Sequence, residues 1–163
     1  MLKLSKLSDY AAVVLAQIAR QPQRPQAAPE LAEEVHLPRP TVSKTLKMLH
    51  KAGLVESRRG VQGGYLLARS AEQIRVSDII AAIEGPVAMT ACSHSDNDCE
   101  LAALCGVADN WQRVSLAMRQ MLDSITLAHL AQREPLQIMP ARALAPSATT
   151  FSRESLLVSD ADS

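Results

Sequence analysis

Pro40-Thr-Val-Ser-Lys-Thr-Leu-Lys-Met-Leu-His-Lys-Ala-Gly53 runs directly into Leu54-Val-Glu-Ser-Arg-Arg-Gly-Val-Gln-Gly-Gly-Tyr-Leu-Leu-Ala-Arg69. In the first stretch Val42, Leu46 and Leu49 recur at i, i+4 and i+7, the spacing of one buried helical stripe, while Lys44, Lys47 and Lys51 fall on a different face. Gly53 stands where a left-handed residue ends a helix. In the second stretch two extended runs, Leu54 to Arg58 and Tyr65 to Arg69, flank a glycine-rich connection longer than two residues, which predicts a β-hairpin. A lysine-bearing helix followed at once by an arginine-bearing hairpin is the frame around which the rest of the chain is read.

Upstream, Ser8 is expected to cap a helix over about residues 9–20, with Ala11, Val14, Leu15 and Ile18 at helical spacing. Gln21 to Gln26, carrying Pro22 and Pro25, reads as loop. Pro29 suits the first turn of a short second helix ending near His36, with Glu30, Glu33 and Glu34 at its positive end and Leu31 and Val35 inward. Downstream, Ser77 is expected to cap a helix that turns Ile79, Ile80 and Ile83 inward and stops at Gly85-Pro86. From Asp109 one long helix is predicted, its Trp111, Val114, Met118, Met121, Leu122 and Ile125 spaced by three and four, with Leu130 near its end and Pro135 closing it. No periodic apolar face follows, so the tail reads as disordered. The expected fold is mainly α with a small β-hairpin. Its parts are a winged helix-turn-helix over 1–86, a cysteine-containing loop over 87–108, a long helix over 109–134 and a tail over 135–163.

Composition narrows the function. The 163 residues are 47% hydrophobic and 2% aromatic, which fits one domain with appendages and an aliphatic core. Stacking platforms for single-stranded nucleic acid are therefore not expected. No run approaches the roughly 18 apolar residues of a membrane span. The start resembles a secretory signal, but Asp9, Gln17 and Arg20 interrupt it, so a cytoplasmic location is expected. The formal charge is zero overall, yet residues 1–69 carry 11 Lys/Arg against 5 Asp/Glu and residues 70–163 carry 6 against 12. A front half at +6 invites a polyanion.

Helix, two closely spaced helices and a hairpin are the order of a winged helix-turn-helix whose third helix enters a DNA groove. On that helix Lys44 and Lys47 can neutralise phosphates, and the hydroxyls of Thr41 and Ser43 can reach base edges. Arg58 and Arg59 can probe phosphates or a narrow minor groove from the wing. On one helix alone such lysines would be a solvated face. Helix order, charge asymmetry and the wing arginines together favour double-stranded DNA. Enzyme chemistry has no support: no nucleophile and base lie at recognisable spacing, no glycine loop opens a helix to cradle phosphate, and no paired-carboxylate signature is present.

Cys92, Cys99 and Cys105 are an odd set within fourteen residues, which argues against a disulfide framework and for metal or redox chemistry. Thiolates are preferred ligands of iron-sulfur clusters. The gaps of six and five residues are too wide for paired zinc knuckles, although a site of three cysteines and one histidine stays open. A thiol switch that oxidises to a sulfenic acid or disulfide is a further alternative.

Over about residues 1–131 the chain resembles the bacterial Rrf-type family of iron-sulfur transcription regulators, which includes the IscR, NsrR and SUF-operon regulators. Leu7-Ser-Asp-Tyr-Ala11, Lys51-Ala-Gly-Leu-Val55, Arg59-Gly-Val-Gln-Gly-Gly-Tyr-Leu-Leu-Ala68 and the three cysteines before a long helix carry the likeness. Glu84-Gly-Pro86, Cys99-Glu-Leu-Ala-Ala-Leu-Cys-Gly106 and Asn110-Trp-Gln-Arg113 are most similar to the SUF-operon regulators. The resemblance implies a homodimeric repressor whose cysteine loop holds a cluster of two or four irons, with iron-sulfur assembly genes as targets. A nitric-oxide-responsive repressor of the same family is the alternative. Some relatives use a histidine three residues after the last cysteine, but Ala108 stands there. Asp9 falls where certain relatives place a carboxylate ligand from the other subunit, and His94 is an in-loop alternative. The resemblance also makes Ser43 a base-contact position where some relatives carry glutamate. The long helix would bury its apolar stripe against its copy, placing two wings on half-sites about one helical turn apart.

Overall fold

The computed structural model describes residues 4–60, 62–87 and 107–132. The order is α1 (Lys6–Ala19), α2 (Ala28–Glu34), α3 (Arg39–Lys51), β1 (Val55–Arg58), β2 (Gly64–Leu67), α4 (Val76–Glu84), α5 (Ala108–Asp123) and α6 (Leu127–Ala131). The three cysteines, His94 and the tail beyond residue 132 lie outside the described residues.

The stripe read from α3 is the stripe that is buried. Val42, Leu46 and Leu49 are fully enclosed, as are Val14, Leu15 and Ile18 of α1 and Leu31 of α2. Burying one such aliphatic side chain contributes about 1.5–3 kcal/mol, so the three α3 residues fix the rotation of the helix about its own axis. Helix α3 starts after Pro38 and has Pro40 in its first turn, where a missing N–H costs no hydrogen bond. It ends at Gly53, whose φ of 71° turns the chain so that Leu54 N–H donates to Leu49 C=O at 2.9 Å. Leu54 and Val55 then enter the same core.

The antiparallel hairpin pairs Val55 with Leu67 and Arg58 with Gly64. Gln26, which reads as loop, adds a third partner: its N–H donates to Tyr65 C=O at 3.0 Å and its C=O accepts from Tyr65 N–H at 2.8 Å. Gly64 is required by that approach, since a Cβ there would lie 2.6 Å from the Gln26 carbonyl. The wing is therefore fastened to the loop between α1 and α2.

Three expectations are corrected. Ser8 is not the cap of α1: Ser5 is, its hydroxyl accepting from Ser8 N–H at 3.2 Å, and Ser8 is buried one turn inside. Ser77 does not cap α4; Arg75 takes that place, its N–H donating to the Asp78 carboxylate at 3.1 Å. Ser77 Oγ donates instead to Asp123. The long helix from Asp109 is also two helices, broken over residues 124–126. There Val76 N–H donates to Ile125 C=O at 2.9 Å and Leu127 N–H to Ile74 C=O at 2.7 Å. Thr126 caps α6, and Leu127 is fully buried against the core. The break thus coincides with the burial of Leu127, which favours it by removing an aliphatic side chain from water. No helix among the described residues is long and apolar enough to cross a membrane.

Replacing Leu127 with Ala is expected to lower unfolding free energy by about 2–4 kcal/mol in urea titration, as for other buried leucines. Leu130→Ala, at a residue 37% exposed, should cost less than half as much.

Candidate nucleic-acid interface

The core contacts of α3 leave its opposite side to solvent. Lys44, Lys47 and Lys51 are exposed, and Thr41 and Ser43 are half-buried. Thr45, though fully buried, is satisfied by donating its hydroxyl to Thr41 C=O at 2.9 Å. Arg58 ends β1, and exposed Arg59 follows it in the hairpin connection. Arg24, Arg39, Arg69 and Arg75 pair with Glu30, Glu33, Asp78 and Asp123. Among the described residues Lys44, Lys47, Lys51, Arg58 and Arg59 make no ion pair. Unpaired cations with no desolvation to undo are suited to displacing counterions from a phosphate backbone.

A second locus lies at the start of α1. Asp9 is an exposed carboxylate in its first turn, without a side-chain partner among the described residues. It borders a cavity of about 470 Å³ that is lined further by Leu4, Ala12, Val76, Ile80 and Leu130. Beside it, Glu84 at the end of α4 accepts from Ser5 N–H at 2.9 Å and from the Ser8 hydroxyl. These two donors, the Ser8 hydroxyl foremost, hold the Glu84 carboxyl below the usual glutamate range. Glu84 immediately precedes Gly85-Pro86 and the cysteine segment, so this bond joins the helix bearing Asp9 to the stem of that segment. Its signal in the sequence is faint: two serines three apart compete for one cap, and nothing local links either to residue 84.

The match to known proteins decides the family. The family model for Rrf2, "Iron-dependent Transcriptional regulator", matches residues 4–133. The chain belongs to the Rrf2 family. Protein rrf2 of Nitratidesulfovibrio vulgaris is 31% identical to this Rrf2 regulator over 149 residues, covering 91% of this chain and 99% of that protein. Among solved structures, CymR of B. subtilis, the global cysteine regulator, is 30% identical with a TM-score of 0.64, covering 83% of this chain and all of that one. IscR of T. potens is 34% identical with a TM-score of 0.58, covering 78% and 84%. This Rrf2 protein is accordingly a DNA-binding transcription regulator and not an enzyme.

Two outcomes are expected. Lys44→Ala and Lys47→Ala should each weaken binding to any duplex and reduce the slope of log affinity against log salt by about 1, measured by fluorescence anisotropy. Glu84→Gln should lower the melting temperature at neutral pH. A carboxyl depressed by folding stabilises above its unfolded value of about 4.3 and ceases to do so as pH falls through the folded value. The gap between variant and wild type should therefore be widest above about pH 4.3 and shrink as melts are run at progressively lower pH.

Proposed function

We propose that this Rrf2 regulator is a homodimeric, cytoplasmic repressor that senses an iron-sulfur cluster and controls genes for SUF-type cluster assembly. The observation that carries the DNA-contacting part is the row of exposed lysines on α3, unpaired among the described residues, next to the arginines of the wing. Lys44, Lys47 and Arg59 contact phosphates in this reading, and Thr41 and Ser43 approach base edges. Cys92, Cys99 and Cys105 supply three thiolates and Asp9 of the other subunit a carboxylate. That donor set suits iron: soft sulfurs hold the cluster, and one weaker oxygen ligand leaves a labile corner. When bound, the cluster supplies a centre sensitive to oxygen, nitric oxide and iron supply.

The residues of the chain provide the coupling. Asp9 stands free in the first turn of α1, and Glu84 fastens that turn to the stem of the cysteine segment. Helix α1 in turn packs on α3, and Val14, Leu15 and Leu46 belong to the one buried cluster that the two helices share. A change at the cysteines thus has a packed route to the groove-facing helix, and it regulates only if the two states differ in DNA affinity. Dimerisation is supported by α5, where Trp111, Val114 and Met121 are 40%, 43% and 50% exposed and remain unpartnered in a single chain. Their burial against a second copy follows the usual isologous pattern.

Anaerobically purified wild type should show visible charge-transfer absorbance and an iron Mössbauer spectrum, and Cys92→Ala/Cys99→Ala/Cys105→Ala should show neither. Persistence of the absorbance in that variant would remove the ligand assignment. Asp9→Ala should keep the colour and lose it faster in air. Operator release by nitric oxide while the protein is insensitive to iron supply would favour the nitric-oxide-responsive reading.

A further inference from the structure

Arg39 is the first residue of α3 and, among the described residues, the one cation on that helix that is already paired: its Nη2 lies 2.5 Å from Glu33 Oε1 on α2. Both side chains are open to solvent, at 65% and 70%. An exposed pair of this kind contributes little to stability, so its geometry rather than its energy is the informative part. Arg39, Ser43 and Lys47 stand at i, i+4 and i+8 and share one row along the outer side of α3. Arg39 occupies the N-terminal end of that row, the end of a recognition helix that reaches base edges in a major groove. We infer that Arg39, held in place by Glu33, is a base-reading residue that recognises a guanine in each half-site of the operator.

Three features favour a base over a phosphate. The backbone around Arg39 is restrained on both sides by Pro38 and Pro40, whose rings fix φ, so the root of the side chain is set before DNA arrives. A guanidinium carries five N–H donors in a planar fork. With one Nη2 donor on Glu33, enough of the fork stays free to meet O6 and N7 of guanine together. The Glu33 carboxylate also repels phosphate, and it would sit badly beside an arginine whose partner was the backbone. Near a base pair the same carboxylate meets the amino group of cytosine as an acceptor. Restraint by two prolines and one carboxylate lowers the entropy lost when the contact forms.

The inference rests on α3 lying in the groove, and the test separates the two. A duplex is selected from a random-sequence pool by the full-length protein, and each base pair of its half-sites is then replaced in turn. Arg39→Ala is expected to lose roughly ten- to a hundredfold in affinity for the selected duplex and to become indifferent to one G·C pair per half-site. Discrimination at the other positions should persist. Arg39→Lys should not restore preference at that pair, because an ammonium lacks the fork. Glu33→Gln should bind random DNA at least as well as wild type while losing preference at the same pair. Melting temperatures near wild type for these surface variants would show that they are folded. Arg39→Ala that discriminates at every position as wild type does, or that loses equally on selected and random duplex with rescue by Lys, overturns the proposal. If Lys44→Ala and Lys47→Ala retain the wild-type salt slope as well, the groove placement of α3 falls, and the role of Arg39 with it. A normal lysine effect with a silent Arg39 overturns the role of Arg39 alone.

Discussion

The outward face of α3 takes its position from the burial of Val42, Leu46 and Leu49. Three aliphatic side chains at one helical spacing allow α3 a single rotation against α1, and the remaining side chains then have no choice of direction. The exposed lysines, the half-buried hydroxyls and the arginine at the helix start are a consequence of that fit. A row of cationic side chains is thus set out on the reverse side of an apolar contact.

The wing depends on a different constraint. A hairpin of four-residue strands is marginal by itself, and this one is held by Val55 in the core and by the two hydrogen bonds that Gln26 and Tyr65 exchange. Gln26 is fully buried, its Nε2 donating to Ile18 C=O at 3.4 Å, so the loop between α1 and α2 is itself fastened to α1. Gly64 lets the two backbones meet. The arginines at 58 and 59 thereby project from a braced support rather than from a free loop.

Most of the winged domain was legible in the sequence because periodicity and punctuation act locally. The stripe of α3, the stop at Gly53, the proline start of α2 and the hairpin were all readable within a dozen residues of each feature. The errors share one cause. Ser8 and Ser77 have the chemistry of helix caps, but each is drawn to a distant carboxylate, Glu84 or Asp123, that no local pattern announces. The long helix after Asp109 has an unbroken apolar period, and its break is marked only by backbone bonds to Ile74 and Val76, far away in the sequence, and by the burial of Leu127. At the interface the lysines were visible as a charged row, whereas the pairing of Arg39 with Glu33 depends on how α2 crosses α3. Asp9 was singled out by resemblance, and its place beside the Ser8 and Glu84 bond comes from tertiary structure alone.

The break in the C-terminal helices carries a mechanical consequence. The end of α5 near Asp123 is clasped by Ser77 and Arg75, and the chain beyond it is hooked under the core by Leu127. The opposite end, from Trp111 to Val114, is exposed to solvent. Arg119, further back on the same helix, donates to Val87 C=O at 3.3 Å, so α5 is tied both to the start of α4 and to the chain just beyond its end. Helix α4 is thereby gripped at both termini, by α5 at its first turn and by the start of α1 at Glu84, and works as a tie bar between the first helix and the last pair.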